Sequence, residues 1–234
     1  MGFSTPVSQP TKAILCIHGG GASPEIFRFQ TSSIRAALDN EFDFVYASAP
    51  HIAPPGPDVL PFFAGIEPYY SWFRVEHKST SEEIAIFNEA IKKTVDDWQR
   101  RNPQSTIAGV LGFSQGGVAS TVLLWEQQVG LVPWLPKLKF GIIVCSGFSD
   151  VATGYMRDYC MQSGYDEAAM VIKLPTLHLH GRQDGLNLPQ SRKMFATHYA
   201  PTFAALEEFD GQHEVPKKIE DVKKMVNYIL SLPQ

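Results

Sequence analysis

No run of apolar residues in the 234-residue sequence approaches the ~18 that a membrane-spanning helix needs. Cysteine is scarce: three residues, an odd number that suits a reducing compartment better than a disulfide framework. Cys16 and Cys145 fall within apolar runs as small core residues, and Cys160 lies in a less regular stretch. Basic blocks are missing and the net charge is -4, which excludes an electrostatic footprint for nucleic acid. Residues 1–11 are polar and carry two prolines, without the apolar core of a signal peptide. A cytoplasmic protein is expected. The glycine-rich stretches contain neither G-x-G-x-x-G nor a Walker lysine, so no phosphate cradle is read from them. His178 and His180 form an H-x-H pair with no third ligand at a recognisable spacing, and His51, His77 and His198 have no evident partner. No metal or cofactor is expected.

What the chain does have is alternation. The near-continuous apolar run at 12–17 reads as a parallel strand buried on both faces, the apolar runs at 107–111 and 140–145 as further buried strands, and 42–46, 175–180 and 203–209 as strands too, about six in all. Helix-compatible segments separate or follow them at 26–38, 81–101, 118–128, 189–199 and 216–232. Ile84, Phe87, Ile91, Val95 and Trp98 recur at steps of three and four and form one apolar face. The fold class is α/β, a mostly parallel sheet with helices on both faces, expected as a single domain over 1–234. Two stretches break the alternation. Residues 49–80 are rich in proline and aromatics, expected as an ordered flap that lines a pocket with Phe62, Phe63, Tyr69, Tyr70 and Trp72. Residues 147–170 read as an irregular second wall, contributing Tyr155 and Tyr159.

One stretch organises the chain: Gly112-Phe113-Ser114-Gln115-Gly116-Gly117, set between a strand and a helix. A serine at the apex of so sharp a turn is strained, and its neighbours two before and two after must lack bulk for strand and helix to pass closely. The G-x-S-x-G pattern alone is short and arises by chance, so partners decide its meaning. Asp184 follows a strand in His180-Gly-Arg-Gln-Asp184, and His213 precedes the last helix in Gly211-Gln-His213. Serine, acid and histidine stand in that chain order, each at a strand's carboxyl end, where α/β folds build their sites. His213 would take the serine proton, and Asp184 would fix its tautomer. Asp150 and Asp210 are rival acids, ranked below Asp184. His18-Gly19-Gly20-Gly21 after the first strand would supply an oxyanion donor from Gly20 or Gly21, with the backbone N–H of Gln115 as the other.

The chain resembles the fungal members of the FSH1-type serine hydrolase family, related to the ovarian-cancer-associated-2 protein and to stand-alone thioesterases of fungal polyketide clusters. Six stretches carry the resemblance: residues 14–21, Ser48-Ala-Pro-His51 with Pro54-Pro-Gly56, Tyr70-Ser-Trp72, 112–117, 180–184, and Gly211-Gln-His213 with Pro216. The resemblance implies a reduced α/β-hydrolase fold, a Ser–Asp–His triad, and esterase or thioesterase activity on acyl substrates. It points to release of an acyl or polyketide chain from the carrier domain of a polyketide synthase, with a carboxylesterase on small or medium acyl esters as the alternative. A non-catalytic binder on the same fold is the further alternative.

Overall fold

The computed structural model describes residues 11–57, 59–74, 80–185 and 187–232; the polar N-terminal stretch and His77 lie outside them. Six strands form one parallel sheet: β1 (Lys12–Ile17), β2 (Asp43–Ala47), β5 (Thr106–Phe113), β6 (Phe140–Val144), β7 (Thr176–Gly181) and β8 (Ala204–Phe209). Their order is β2-β1-β5-β6-β7-β8, and every adjacent pair is parallel. A second, two-stranded antiparallel ribbon pairs β3 (His51–Ala53) with β4 (Tyr69–Ser71).

Alternation along the strands sorts two cores. Ala13, Leu15 and Ile17 of β1 face α3 (Thr80–Arg101), α4 (Gln115–Gln128) and α5 (Asp150–Ser163), meeting Phe87, Leu123 and Met156. Ile14 and Cys16 point the other way, into the core that holds Phe27 of α1 (Pro24–Gln30), Ile34 and Leu38 of α2 (Ser32–Leu38), and Met225 of α7 (Ile219–Ser231). Burial on both faces explains why β1, β5 and β6 read as near-continuous apolar runs, while β8 at the sheet's edge is only half-buried. The remaining helix is α6 (Leu188–His198).

Three expectations change. The single helix expected over 26–38 is two helices that meet at Thr31, whose hydroxyl donates to Phe27 O and pairs with the Tyr46 hydroxyl. The region 49–80 contains the β3–β4 ribbon, which the prolines around it had hidden. Residues 147–170, expected to be irregular, are α5 followed by a 3-10 turn at Glu167–Met170. Ser149 caps α5 by accepting from Ala152 N, and Gly164 ends it in the left-handed conformation at φ 73°. Ala152, Met156 and Cys160, four residues apart, are its buried side.

Candidate active site

The turn from β5 into α4 holds Ser114 at φ 54° and ψ -121°, a conformation that side chains rarely adopt. Its neighbours make the turn possible. A Cβ on Gly112 would lie 2.3 Å from Gly116 O, and one on Gly116 would lie 2.1 Å from Ile17 O. The Ser114 N–H donates to Val144 O, which pins the turn to β6.

The structure brings the three sequence-distant groups together. His213 Nε2 is 2.9 Å from Ser114 Oγ, and His213 Nδ1 is 2.7 Å from Asp184 Oδ2. An ionised carboxylate only accepts, so Nδ1 carries the proton and Nε2 is free to accept from the serine hydroxyl. Asp184 is buried, and Asn187 Nδ2 donates to its second oxygen at 2.9 Å. Asn187 was not foreseen in the sequence; its position three residues after the acid, at the start of α6, is the only sequence signal for it. The rival acids stand elsewhere. Asp150 is exposed at the start of α5, and Asp210 is held by Lys218 at 2.8 Å, which lowers its carboxyl below the usual range.

The His213 loop is braced from beneath. Cys145 follows β6 with a positive φ of 46°, which aims its thiol at this loop. Its Sγ lies 3.5 Å from Glu214 O and 3.8 Å from Gln212 O, the carbonyls on either side of His213. Burial pushes the thiol up to about 12, so it remains a protonated donor. A Cβ on Gly181 would lie 2.1 Å from Gln212 O, so a glycine there lets the loop settle on β7. Cys145, Asp184 and His213 lie close enough to resemble a metal-ligand group, but the acid and base are already engaged with each other.

The glycine loop after β1 is held by the ribbon. His18 is buried, and burial lowers its imidazole to about 4, keeping it neutral. Its Nε2 accepts from Ala49 N at 3.2 Å, so Nδ1 donates to Gly19 O at 2.7 Å. Gly21, at φ 69°, donates its N–H to Tyr70 O at 2.8 Å and is therefore occupied. Among the described residues, no backbone carbonyl accepts from the N–H of Gly20 or of Gln115. A Cβ on Gly20 would meet the Gln115 side chain at 3.1 Å, so the two residues face each other across the turn.

Several expected pocket residues do other work. Trp72 is fully buried; its indole donates to His18 O and its ring packs on Phe87. Tyr69 is buried and donates to Phe63 O, while Tyr70 bonds through its backbone to Gly21 and Ala22. Tyr155 and Tyr159 pack edge-on against Trp125 of α4, because α5 lies on the sheet's core and not over the site. Phe62 and Phe63 do line a cleft of about 770 Å³ that reaches His213, but the residues that share it come from α1, α2 and the His213 loop, not from α5.

Comparison with known proteins fits this geometry. The family model described as serine hydrolase (FSH1) matches residues 7–225. Esterase mlcF of Penicillium citrinum is 44% identical over 97% of this chain and 92% of its own length. A dihydromonacolin L-[lovastatin nonaketide synthase] thioesterase of Aspergillus terreus is 42% identical over 96% of this chain and 93% of its own. Among solved structures, acyl-protein thioesterase 2 of Zea mays superposes with a TM-score of 0.63 at 16% identity, covering 97% of this chain and 96% of that one.

Proposed function

Because the chain belongs to the FSH1 serine hydrolase family, we propose that Ser114 is its nucleophile, Asp184 and His213 its acid and base, and an acyl thioester on a polyketide synthase carrier domain its substrate. One observation carries the reading: the continuous relay from Ser114 Oγ through His213 to Asp184, at 2.9 and 2.7 Å. Ser114 Oγ attacks the thioester carbonyl carbon while its proton passes to His213 Nε2. Asp184 stabilises the imidazolium that forms. The carbonyl oxygen, now negative, is met by the N–H groups of Gln115 and Gly20, each such donor worth ~2.7–4 kcal/mol of transition-state stabilisation. Collapse expels the thiolate, which takes the proton from His213. Water, deprotonated by the same imidazole, then releases the free acid and restores Ser114.

A relative at 42% identity named as a thioesterase supports the thioester substrate. The carboxylesterase reading draws on the relative named as an esterase, and it uses the same relay. The relay argues against a non-catalytic binder, which has no use for an imidazole nitrogen 2.9 Å from a serine hydroxyl. Matched acyl-pantetheine thioesters and ethyl esters, compared by kcat/KM at equal acyl length, separate the two catalytic readings. Preference for the thioester by tenfold or more supports the proposal; faster turnover of the oxygen ester overturns it.

A further inference from the structure

Asp184 has two carboxylate oxygens, and His213 uses one of them. Oδ2 accepts from His213 Nδ1 at 2.7 Å, while Oδ1 is 2.9 Å from Asn187 Nδ2. Because an ionised carboxylate only accepts, the Asn187 atom that faces it is the amide nitrogen. The same nitrogen lies 3.2 Å from His213 Nδ1. Both are donors while Nδ1 carries its proton, so this contact is not a hydrogen bond, and Asp184 alone directs the amide. Asn187 thus fills the corner between acid and base. Among the described residues, no third group hydrogen-bonds this carboxylate.

The start of α6 does not itself require the asparagine side chain. An N-cap side chain ordinarily accepts from the N–H two or three residues on. Asn187 stands at that position and makes no such bond, and two residues on is Pro189, which has no N–H. The backbone closes the turn instead: the Leu188 N–H donates to Asp184 O at 2.8 Å, and the Ser191 N–H to Asn187 O at 2.7 Å. At φ -94° and ψ -23° the residue is helical and lacks the extended backbone usual in a cap, and its side chain goes to the acid.

Resting on the proposal that Asp184 and His213 serve Ser114, we infer that Asn187 is a positioning residue for the relay, holding Asp184 by Oδ1 so that Oδ2 stays on His213 Nδ1. A carboxylate bonded at one oxygen swings readily about its Cβ–Cγ bond, since that torsion has broad wells. Bonded at both, it cannot turn without breaking a bond. Asp184 is buried, so without Asn187 its Oδ1 is an acceptor left without a partner.

Steady-state kinetics on 4-nitrophenyl butyrate at pH 8 test this with Asn187→Ala and Asn187→Asp. The aspartate has the same shape and is as good a cap, but its carboxylate has no proton to donate. In both variants kcat should fall about tenfold with KM nearly unchanged, a small part of the ~10⁴ lost when the histidine tautomer itself is wrong. A second readout needs no turnover. The far-downfield proton resonance of His213 Nδ1–H, identified by its absence in His213→Ala, should broaden or move in Asn187→Ala. Wild-type kcat in both variants with an unmoved resonance overturns the role of Asn187 and leaves the relay intact. An Asn187→Asp variant as active as the wild type, beside an impaired Asn187→Ala, reveals a helix cap and overturns it as well. A wild type no faster than Ser114→Ala overturns the relay reading, and this inference with it.

Discussion

The indole N–H of Trp72 donates to the backbone carbonyl of His18 at 2.7 Å. That bond fixes the plane of the peptide that opens the Gly19-Gly20-Gly21 loop. Trp72 is thus a brace for the proposed oxyanion donors, not part of the wall that touches substrate. Trp72→Phe keeps the ring and removes the donor. The expected result is a kcat about tenfold lower with KM little changed, a fraction of the ~10²–10³ lost when an oxyanion donor is deleted outright. A steady-state comparison on one activated ester checks it; a rise in KM at constant kcat would place Trp72 in substrate binding.

Gln115 acts on the same loop from the other side. Its Oε1 accepts from Trp72 N at 2.8 Å and from the Ser71 hydroxyl at 3.0 Å, tying β4 to the elbow. In the proposed reaction the residue works twice, with its backbone N–H as an oxyanion donor and its side chain toward the brace. Gln115→Ala leaves the Trp72 N–H without its acceptor, and stability should fall by about 1–3 kcal/mol, with a loss in kcat. Gln115→Glu retains an acceptor and should recover most of the stability in a denaturant titration.

Cys145 offers a third check on positioning. Its thiol donates toward the carbonyls flanking His213, so Cys145→Ala should slow turnover severalfold without altering KM, and Cys145→Ser, which keeps a donor, should restore most of it. Because burial holds the thiol protonated, up to about 12, iodoacetamide at pH 7.5 should leave Cys145 unmodified in the native protein. Peptide mapping by mass spectrometry reads this directly.

Stability should respond to pH in two opposed ways. Glu126 of α4 is buried between Asn88 and Tyr155, which both donate to its Oε1, and burial raises its carboxyl to about 7. A folded-state value above the unfolded one means stability present at low pH and lost as pH rises from about 4.5 through about 7, at ~1.4 kcal/mol per unit of displacement. His18, His180 and His198 are lowered by burial to about 4, so their contribution runs the other way, lost as pH falls from 6.5 toward 4. Between 4.5 and 6.5 the histidines outnumber the carboxylate, and maximal stability is expected near pH 6.5–7. Glu126→Gln removes the carboxylate's share. Its melting temperature relative to the wild type should be higher at pH 8 than at pH 5; equal differences at the two values would show that Glu126 ionises freely in the fold.

The central strands β1, β5 and β6 were legible because they are buried on both faces and therefore spell near-continuous apolar runs, whereas the edge strand β8 is only half-buried and carries Glu207 and Glu208. The elbow was legible because strain at Ser114 demands glycines at fixed offsets, and the order of serine, acid and histidine narrowed the rest of the relay. What escaped depends on contacts between distant segments. Tyr155 and Trp72 are amphipathic residues that suit a pocket or a core equally well, and only the docking of α5 on Trp125 and of β4 on the glycine loop decides which. Cys145 looked like a small core residue, and its burial is real; its positive φ, which turns the thiol toward His213, leaves no trace in composition. The α5 helix carried its own signals in Ser149 and Gly164, overshadowed by the aromatics between them.

In the proposed mechanism Ser114 is made nucleophilic by His213, whose Nε2 lies 2.9 Å from its Oγ. A fluorophosphonate probe, followed by mass spectrometry of the digested protein, tests it most directly. One adduct is expected, on Ser114, abolished in Ser114→Ala and strongly slowed in His213→Ala while that variant remains folded by circular dichroism. An adduct on another serine, or labelling of Ser114 at an undiminished rate without His213, would contradict it.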